Sequence, residues 1–161
     1  MSETRFGGVS LLGLFVLLVS GGHALTASAA TSSGARGEEG KPAAEIVEDL
    51  VSAFNAGDAD AMAGMVAEGF ELFYVGDDGK PVVGASGREP FREQMKQYFT
   101  SFPDVRSRAD HMVPGPIYVS YREQIVEGPG AGTSSVAVYE VRDGLIRRAW
   151  YYPAESTPSE P

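Results

Sequence analysis

One acidic residue stands in a strand-like segment where an apolar side chain is expected. In IYVSYREQIV, residues 117–126, every second residue from Ile117 to Ile125 is apolar or aromatic except Glu123. Because alternate residues of a strand share a face, this pattern predicts that Glu123 faces the core. Burial would raise the pKa of its carboxyl and make it a candidate general base near neutral pH. The alternative is that the strand has already left the core at this residue.

Histidine is the other side chain that exchanges a proton near neutral pH. Of the two histidines, His23 lies in an N-terminal segment that we expect to be removed, which leaves His111 as the candidate acid or base. It shares strand parity with Val105, Ser107 and Ala109, which places it toward the interior. The alternative is a hydrogen-bonded structural histidine. One histidine without clustered carboxylates argues against a transition-metal site.

Two adjacent arginines lie in the hairpin SVAVYEVRDGLIRRAWYY, residues 135–152. A two-residue turn at positions 143–144 would pair Tyr139 with Arg148 and Ala137 with Trp150. Arg148 would then point into a pocket among aromatic rings and stabilise a carboxylate or enolate oxygen. Alternatively, its stem packs on the rings while its guanidinium reaches solvent. A bulge in the last strand would exchange the two faces.

Aromatic side chains with a polar end are the candidates for ligand binding. Tyrosine and tryptophan offer a large apolar ring together with a hydrogen-bonding group. The candidates are Tyr74, Tyr98, Tyr121, Tyr139 and Trp150. The alternative is that the tyrosine rings only pack in the core while their hydroxyl groups reach water.

The opposite face of the hairpin is apolar as well, apart from a predicted ion pair between Glu140 and Arg147. Its apolar members would be Val136, Val138, Leu145, Ala149 and Tyr151. A monomer would expose this patch, so we expect a homodimer through the sheet face.

Composition limits the classes of protein to which the chain can belong. Its 161 residues suit one domain, and a hydrophobic content of 43% is typical of globular proteins. The absence of cysteine excludes disulfides, thiol nucleophiles and zinc thiolate sites. The net charge of −9 argues against nucleic acid as a partner, because nucleic acid is bound chiefly by basic surfaces. We expect neither a cofactor nor a metal.

Residues 1–29 have the pattern of an export signal peptide. Arg5 precedes the apolar run VSLLGLFVLLVS, and the A-x-A motif at residues 27–29 predicts cleavage before Ala30. The run falls short of the roughly 20 residues that cross a bilayer. We therefore expect a periplasmic or extracellular protein with no membrane contact after cleavage, and the alternative is an uncleaved anchor. Residues 30–42 read as a flexible linker, 43–154 as the domain and 155–161 as a disordered tail.

Helical patterns come first in the domain and strand patterns follow. Apolar residues have helical spacing in PAAEIVEDLVSAFNAGD, which Gly57 ends, and in GREPFREQMKQYFTSFP, where Ser86 and Glu89 fit a capping box. A short helix follows Asp58 as its N-cap. Residues 81–83 give at most a brief strand, whereas FELFYV, VRSRADHMV, IYVSYREQIV, SSVAVYEV and LIRRAWYY have strand composition. The order predicts an α+β fold with three N-terminal helices on a strongly curved antiparallel sheet.

The element order and four motifs, AFNAGDADAM, GREPFREQM, FPDVR and YEVRDGLIRRAWYY, resemble the nuclear transport factor 2 superfamily, in particular its SnoaL-like branch. The resemblance covers about residues 43–154 and implies a cone-shaped fold with a pocket at its wide end. Relatives include polyketide cyclases and ketosteroid isomerase. By this resemblance the two isomerase aspartates would fall at Tyr74 and near Ala137, and neither acid is present. A steroid isomerase that uses those two aspartates is therefore not expected here.

These observations lead to two candidate functions. The first is an exported SnoaL-like domain whose pocket takes a small, mostly apolar molecule with a carbonyl or acid group. Its chemistry would be a cofactor-free isomerisation, cyclisation or hydrolysis by proton transfer, with Glu123 or His111 as base and Arg148 and Tyr139 stabilising negative charge. The alternative is a non-catalytic ligand-binding or dimerisation module.

Overall fold

The computed structural model describes residues 40–154 and shows the α+β fold that the sequence predicts. Within this part of the chain there are three helices and six strands. They are α1 (Ala43–Ala56), α2 (Ala59–Gly64), β1 (Val66–Val75), β2 (Pro81–Ser86), α3 (Arg88–Ser101), β3 (Arg106–Val113), β4 (Tyr118–Glu127), β5 (Ser134–Arg142) and β6 (Leu145–Ala154). Only α1 and α2 precede the sheet, since α3 lies between β2 and β3.

The six strands form one open, curved sheet in the order β2-β1-β6-β5-β4-β3. Neighbouring strands are antiparallel except β1 and β6, which are parallel, so the prediction of a wholly antiparallel sheet is wrong at that pair. The sequence did not reveal this pairing because β1 forms a hairpin with β2, the next strand in the chain, whereas β6 is distant from β1 in sequence. Register shifts interrupt four of the five pairings. Such bulges bend strands and increase their twist, which lets the sheet curve around the helices.

The helix ends follow local chemistry. Gly57 takes a left-handed conformation with φ of 68° and donates its N–H to the last turn of α1, as the sequence predicts. The Asp58 carboxylate accepts from the Ala61 N–H at 2.8 Å and caps α2. The expected capping box of α3 is absent because Gly87 is its N-cap, without a side-chain cap. Pro90 therefore falls in the first turn, where its missing N–H breaks no helical hydrogen bond.

The core lies between the helices and the inner face of the sheet. Helix α1 contributes Ile46, Val47 and Leu50, which are almost fully buried. Phe70 of β1 and Phe91 of α3 meet edge to face with ring centres 4.9 Å apart. The most deeply buried large side chains are Val47, Val66, Phe70, Val105, Val119, Tyr139 and Ile146.

The hairpin between β5 and β6 corrects the predicted register. The turn forms at Asp143 and Gly144, both with positive φ, and Val141 faces Ile146. Beyond that pair the register shifts by one residue, because Arg147 is an extra residue in β6 that forms a bulge.

As a result, the predicted pairings of Glu140 with Arg147, Tyr139 with Arg148 and Ala137 with Trp150 are wrong. The observed partners are Arg148 for Glu140, Ala149 for Tyr139 and Tyr151 for Ala137. From the bulge onward each side chain of β6 therefore lies on the face opposite to the predicted one.

Several sequence predictions fall outside the described residues. They are the signal peptide at residues 1–29, the linker as far as residue 39 and the tail at 155–161. None of the described helices is long and apolar enough to span a bilayer.

Two valines of β4 provide a matched test of this packing. Val119 is fully buried beneath the helices, whereas Val126 is 41% exposed. Val119→Ala should lower the free energy of unfolding by about 2 kcal/mol because it removes buried methyl groups and leaves a cavity, and Val126→Ala should cost less than about 0.5 kcal/mol. Urea denaturation measures both, and equal costs would contradict the assigned inner face.

Candidate active site

A cavity of about 300 Å³ lies between the three helices and the inner face of the sheet. This volume is at the lower end of the range for small-molecule sites. The apolar part of the lining includes Leu50, Phe54, Met62, Phe70, Phe91 and Met95. The polar part consists of Glu123 with Tyr74, Tyr98, Tyr139 and Tyr151, and Thr133, Ser134 and Ser135 add hydroxyl groups. A small molecule held here would meet both hydrocarbon and polar oxygens.

Glu123 is the one charged residue among the side chains that line the cavity in the described chain. It lies on β4, paired with Ala109 of β3 and Ser135 of β5, and shares its face with the buried residues Val119 and Tyr121. The side chain is half-buried and lines the cavity. Burial raises the pKa of the Glu123 carboxyl from 4.5 to about 7, and the Ser107 hydroxyl acts in the opposite direction.

Tyrosine hydroxyl groups form a hydrogen-bonded chain beside Glu123. The Tyr121 and Tyr139 oxygens are 3.2 Å apart, and Tyr139 in turn contacts the Tyr151 hydroxyl. The Tyr121 and Tyr139 rings are stacked with centres 5.7 Å apart. Burial raises the pKa of each of these three phenols, so they stay protonated at neutral pH and remain hydrogen-bond donors.

The family follows from a comparison of the sequence with family models. The model of the SnoaL-like domain matches residues 47–149, which is most of the chain. The chain belongs to the SnoaL-like family. No curated protein sequence matches it.

Solved structures show the same fold for this SnoaL-like protein. An uncharacterised cystatin-fold protein from Novosphingobium aromaticivorans has a TM-score of 0.59 at 19% identity, over 70% of this chain and 98% of the other. An NTF2-like protein of unknown function from Cytophaga hutchinsonii has a TM-score of 0.57 at 15% identity, over 73% and 95%. A SnoaL-like polyketide cyclase from Agrobacterium tumefaciens has a TM-score of 0.54 at 19% identity, over 69% and 90%. At these identities the likeness is one of fold.

The SnoaL-like cavity brings together some of the site residues predicted from sequence. Glu123, Tyr74, Tyr98 and Tyr139 all line it. Tyr121 is not in the wall itself but is joined to it through its hydrogen bond with Tyr139.

Three predicted site residues lie away from the cavity. Arg148 is on the outer face of the sheet, where its half-exposed guanidinium donates to Glu71 at 3.0 Å and contacts Glu140 at 3.5 Å. Trp150 is also on the outer face and stacks on Phe73 with ring centres 6.0 Å apart. The bulge at Arg147 is the cause for both.

His111 is exposed and has φ of 54°. It falls in the register irregularity between Asp110 and Val113, which breaks the alternation from which its inward orientation was predicted.

The sequence analysis missed Tyr151 as a cavity residue. It was assigned to the dimer face because a regular hairpin would place it there. The pair Arg147-Arg148 carries no signal that identifies the first arginine as a bulge. Ser107 was recognised only as a residue of inward parity, and its place diagonal to Glu123 follows from the β3–β4 register.

Replacing Glu123 by glutamine should stabilise the protein in alkaline solution. The unfolded chain loses the Glu123 proton near pH 4.5 and the folded protein near pH 7, so stability present below the first value is lost as the pH rises through the second. Glu123→Gln keeps a neutral side chain of similar shape. It should exceed the wild type by up to about 3 kcal/mol at about pH 8 and show no advantage below about pH 4.

Urea unfolding at the two pH values measures this difference. Glu127→Gln is the matched control, because Glu127 is an exposed carboxylate on the same strand. Equal stabilities of the wild type and Glu123→Gln in alkaline solution would contradict a buried, ionisable Glu123.

Proposed function

We propose that this SnoaL-like protein catalyses a cofactor-free proton transfer on a small, mostly apolar carbonyl compound, as in an isomerisation or cyclisation, with Glu123 as the general base. The observation that supports this most strongly is the position of one carboxylate in an apolar cavity beside protonated tyrosine hydroxyls. A base is most effective when its pKa lies near the working pH, and the pKa of Glu123 is raised to about 7.

The steps follow from the two kinds of polar group. The Glu123 carboxylate takes a proton from the carbon next to the carbonyl, and the electron pair of that C–H bond moves to the carbonyl oxygen. The Tyr151 hydroxyl donates a hydrogen bond to the resulting enolate oxygen, while its own oxygen accepts from Tyr139, which in turn accepts from Tyr121. In a β,γ-unsaturated carbonyl compound, the protonated Glu123 then gives its proton to the γ carbon as the enolate electron pair re-forms the carbonyl and shifts the C=C bond into conjugation. This step completes an isomerisation and regenerates the base.

The charge of the cavity narrows the ligand class. Among the lining residues of the described chain there is no arginine, lysine or histidine to balance a carboxylate on the ligand. An acidic ligand would meet Glu123 without a compensating cation, which is costly in a cavity of low polarity. A neutral ketone or aldehyde therefore fits better than the acid that the expected position of Arg148 would have favoured.

A non-catalytic ligand-binding module is the second candidate. It is supported by the residues at the two positions where the isomerase aspartates would be expected, which are Tyr74 and the fully buried Ala137. A binding module would use the same cavity without turning its ligand over.

Hydrogen–deuterium exchange separates the two candidates. The protein should accelerate exchange at the carbon next to the carbonyl of a small cyclic ketone such as cyclohexanone, followed by NMR in deuterated water. The rate should rise with pH through about 7 and then level off, because the ionised form is the base. Glu123→Gln should reduce it at least roughly 100-fold, and Glu127→Gln should leave it unchanged. Binding of the ketone without faster exchange would favour the binding module.

We also propose a homodimer through the outer face of the sheet. Because of the bulge at Arg147, the β6 residues on this face differ from those predicted from the sequence. Exposed apolar residues on β4, β5 and β6 include Tyr118, Val136 and Tyr152, which are 51%, 39% and 40% exposed. Beside them runs a row of alternating charges formed by Glu71, Arg148, Glu140 and Arg142. Such a row can complement a second copy of itself across a two-fold axis.

Sedimentation velocity at micromolar concentration tests the dimer. The wild type should sediment as a dimer, and Val136→Glu should produce a monomer because it buries an unpaired charge in the interface. Val82→Glu, on the edge strand β2, should remain dimeric. A monomeric wild type would refute the proposed interface.

Export is proposed on separate grounds, from the apolar run and the A-x-A motif of residues 1–29. N-terminal sequencing of the protein from its native host should begin at Ala30. An intact N-terminus would support a membrane anchor instead.

A further inference from the structure

Asn55 of α1 holds the backbone of Ser107 at the start of β3. Its Nδ2 donates to the Ser107 carbonyl oxygen at 2.9 Å, and its Oδ1 accepts from the Ser107 N–H at 2.7 Å. Strand β3 is at the edge of the sheet, where backbone groups would otherwise lack a strand partner. The Asn55 amide therefore takes the place of a neighbouring strand at this residue and fixes the position of Ser107.

The fixed residue is buried next to Glu123. Ser107 is 5% exposed and pairs with Ile125, while Glu123 pairs with Ala109. Ser107 and Glu123 are therefore diagonal neighbours on the same face of the sheet. Within the described chain the buried Ser107 Oγ has no hydrogen-bond partner, so its hydroxyl is available to the neighbouring Glu123 carboxyl. The Ser107 hydroxyl acts to lower the pKa of that carboxyl, against the effect of burial.

Five tyrosine phenols also face Glu123 in the described chain, from β1, α3, β4, β5 and β6. They belong to Tyr74, Tyr98, Tyr121, Tyr139 and Tyr151. Burial, together with the negative charge of Glu123, raises the pKa of each phenol, so these groups remain neutral. The Ser107 hydroxyl favours the ionised carboxyl against the cost of its burial.

We propose that Ser107, positioned by Asn55, stabilises the ionised Glu123 and so sets the pH at which the cavity can act as a base. When Glu123 is ionised, the Ser107 hydroxyl turns to donate its proton to the carboxylate. When Glu123 is protonated, the same hydroxyl can accept. Neither residue touches a ligand in this scheme, so both are positioning residues. The inference deepens the proposed function. The effect of Ser107 on the ionisation of Glu123 stands without that function, and only its consequence for catalysis rests on it.

Titration of Glu123 by carbon NMR tests the proposal directly and requires no substrate. The full-length protein is labelled at the glutamate side-chain carboxyls, and the Glu123 resonance is assigned by its loss in Glu123→Gln. Ser107→Ala should raise the pKa of Glu123 by about one pH unit, because it removes a hydrogen bond to the charged form. Ser107→Thr keeps the hydroxyl and should return the titration to within a few tenths of a pH unit of the wild type.

Two further variants complete the design. Ser120→Ala is the matched control, because Ser120 is a serine of β4 on the opposite face, and it should leave the titration unchanged. Asn55→Ala should shift the titration in the same direction as Ser107→Ala, because Ser107 loses its support. An unchanged titration in Ser107→Ala would overturn the proposal, and a shift in that variant but not in Asn55→Ala would overturn the role of Asn55.

The same variants distinguish this inference from the proposed function. If ketone exchange is catalysed, its pH profile should move upward in Ser107→Ala by as much as the titration does. If the titration moves and no exchange is found with the wild type, the positioning role stands and the proposed function fails. Exchange whose pH profile stays fixed while the titration moves would instead show that Glu123 is not the base.

Discussion

One carboxyl group has been placed on the inner face of a sheet that is otherwise built to exclude water. Its neighbours on β4, Val119 and Tyr121, are buried, and hydrocarbon from the three helices lines the same cavity. A carboxylate in such a place pays a desolvation cost that shifts its titration toward neutral pH. The serine beside it favours the ionised carboxyl against the cost of this burial, and the cavity and the tyrosine hydroxyls give the site its chemistry.

The bulge at Arg147 decides which side chains belong to the cavity and which to the outer surface. By adding one residue to β6 it turns Ala149 and Tyr151 inward and Arg148 and Trp150 outward. Among the described residues, the cavity lining consequently contains phenol hydroxyls and no guanidinium, so negative charge on a ligand would be stabilised by neutral donors. The guanidinium of Arg148 instead joins a row of charges on the outer face, next to exposed apolar side chains. A single backbone irregularity thus separates the proposed binding surface from the proposed interface.

Much of the fold could be predicted because local patterns decide it. The spacing of Ile46 and Leu50, the Asp58 cap of α2 and Gly57 at the end of α1 are all local signals, and the α+β class followed from the order of the elements. The SnoaL-like family was predicted from the resemblance of four motifs and is shown by the family model. The inward orientation of Glu123 was predictable because β4 has an unbroken alternation around it. The parallel pairing of β1 with β6 was not predictable, since it joins distant parts of the chain. The orientations of Arg148 and His111 were predicted wrongly because each lies beside a register irregularity. The alternation of side chains along a strand does not continue across such an irregularity.

The titration of Glu123 in the unmodified protein is the most direct test of this account. Carbon NMR of the labelled glutamates should show one carboxyl that titrates near pH 7, well separated from the others, and this resonance should vanish in Glu123→Gln. A Glu123 carboxyl that titrates near pH 4.5 would mean that the group is hydrated like a surface glutamate. In that case the cavity would contain no base matched to neutral pH, and the proposed proton-transfer chemistry would be wrong.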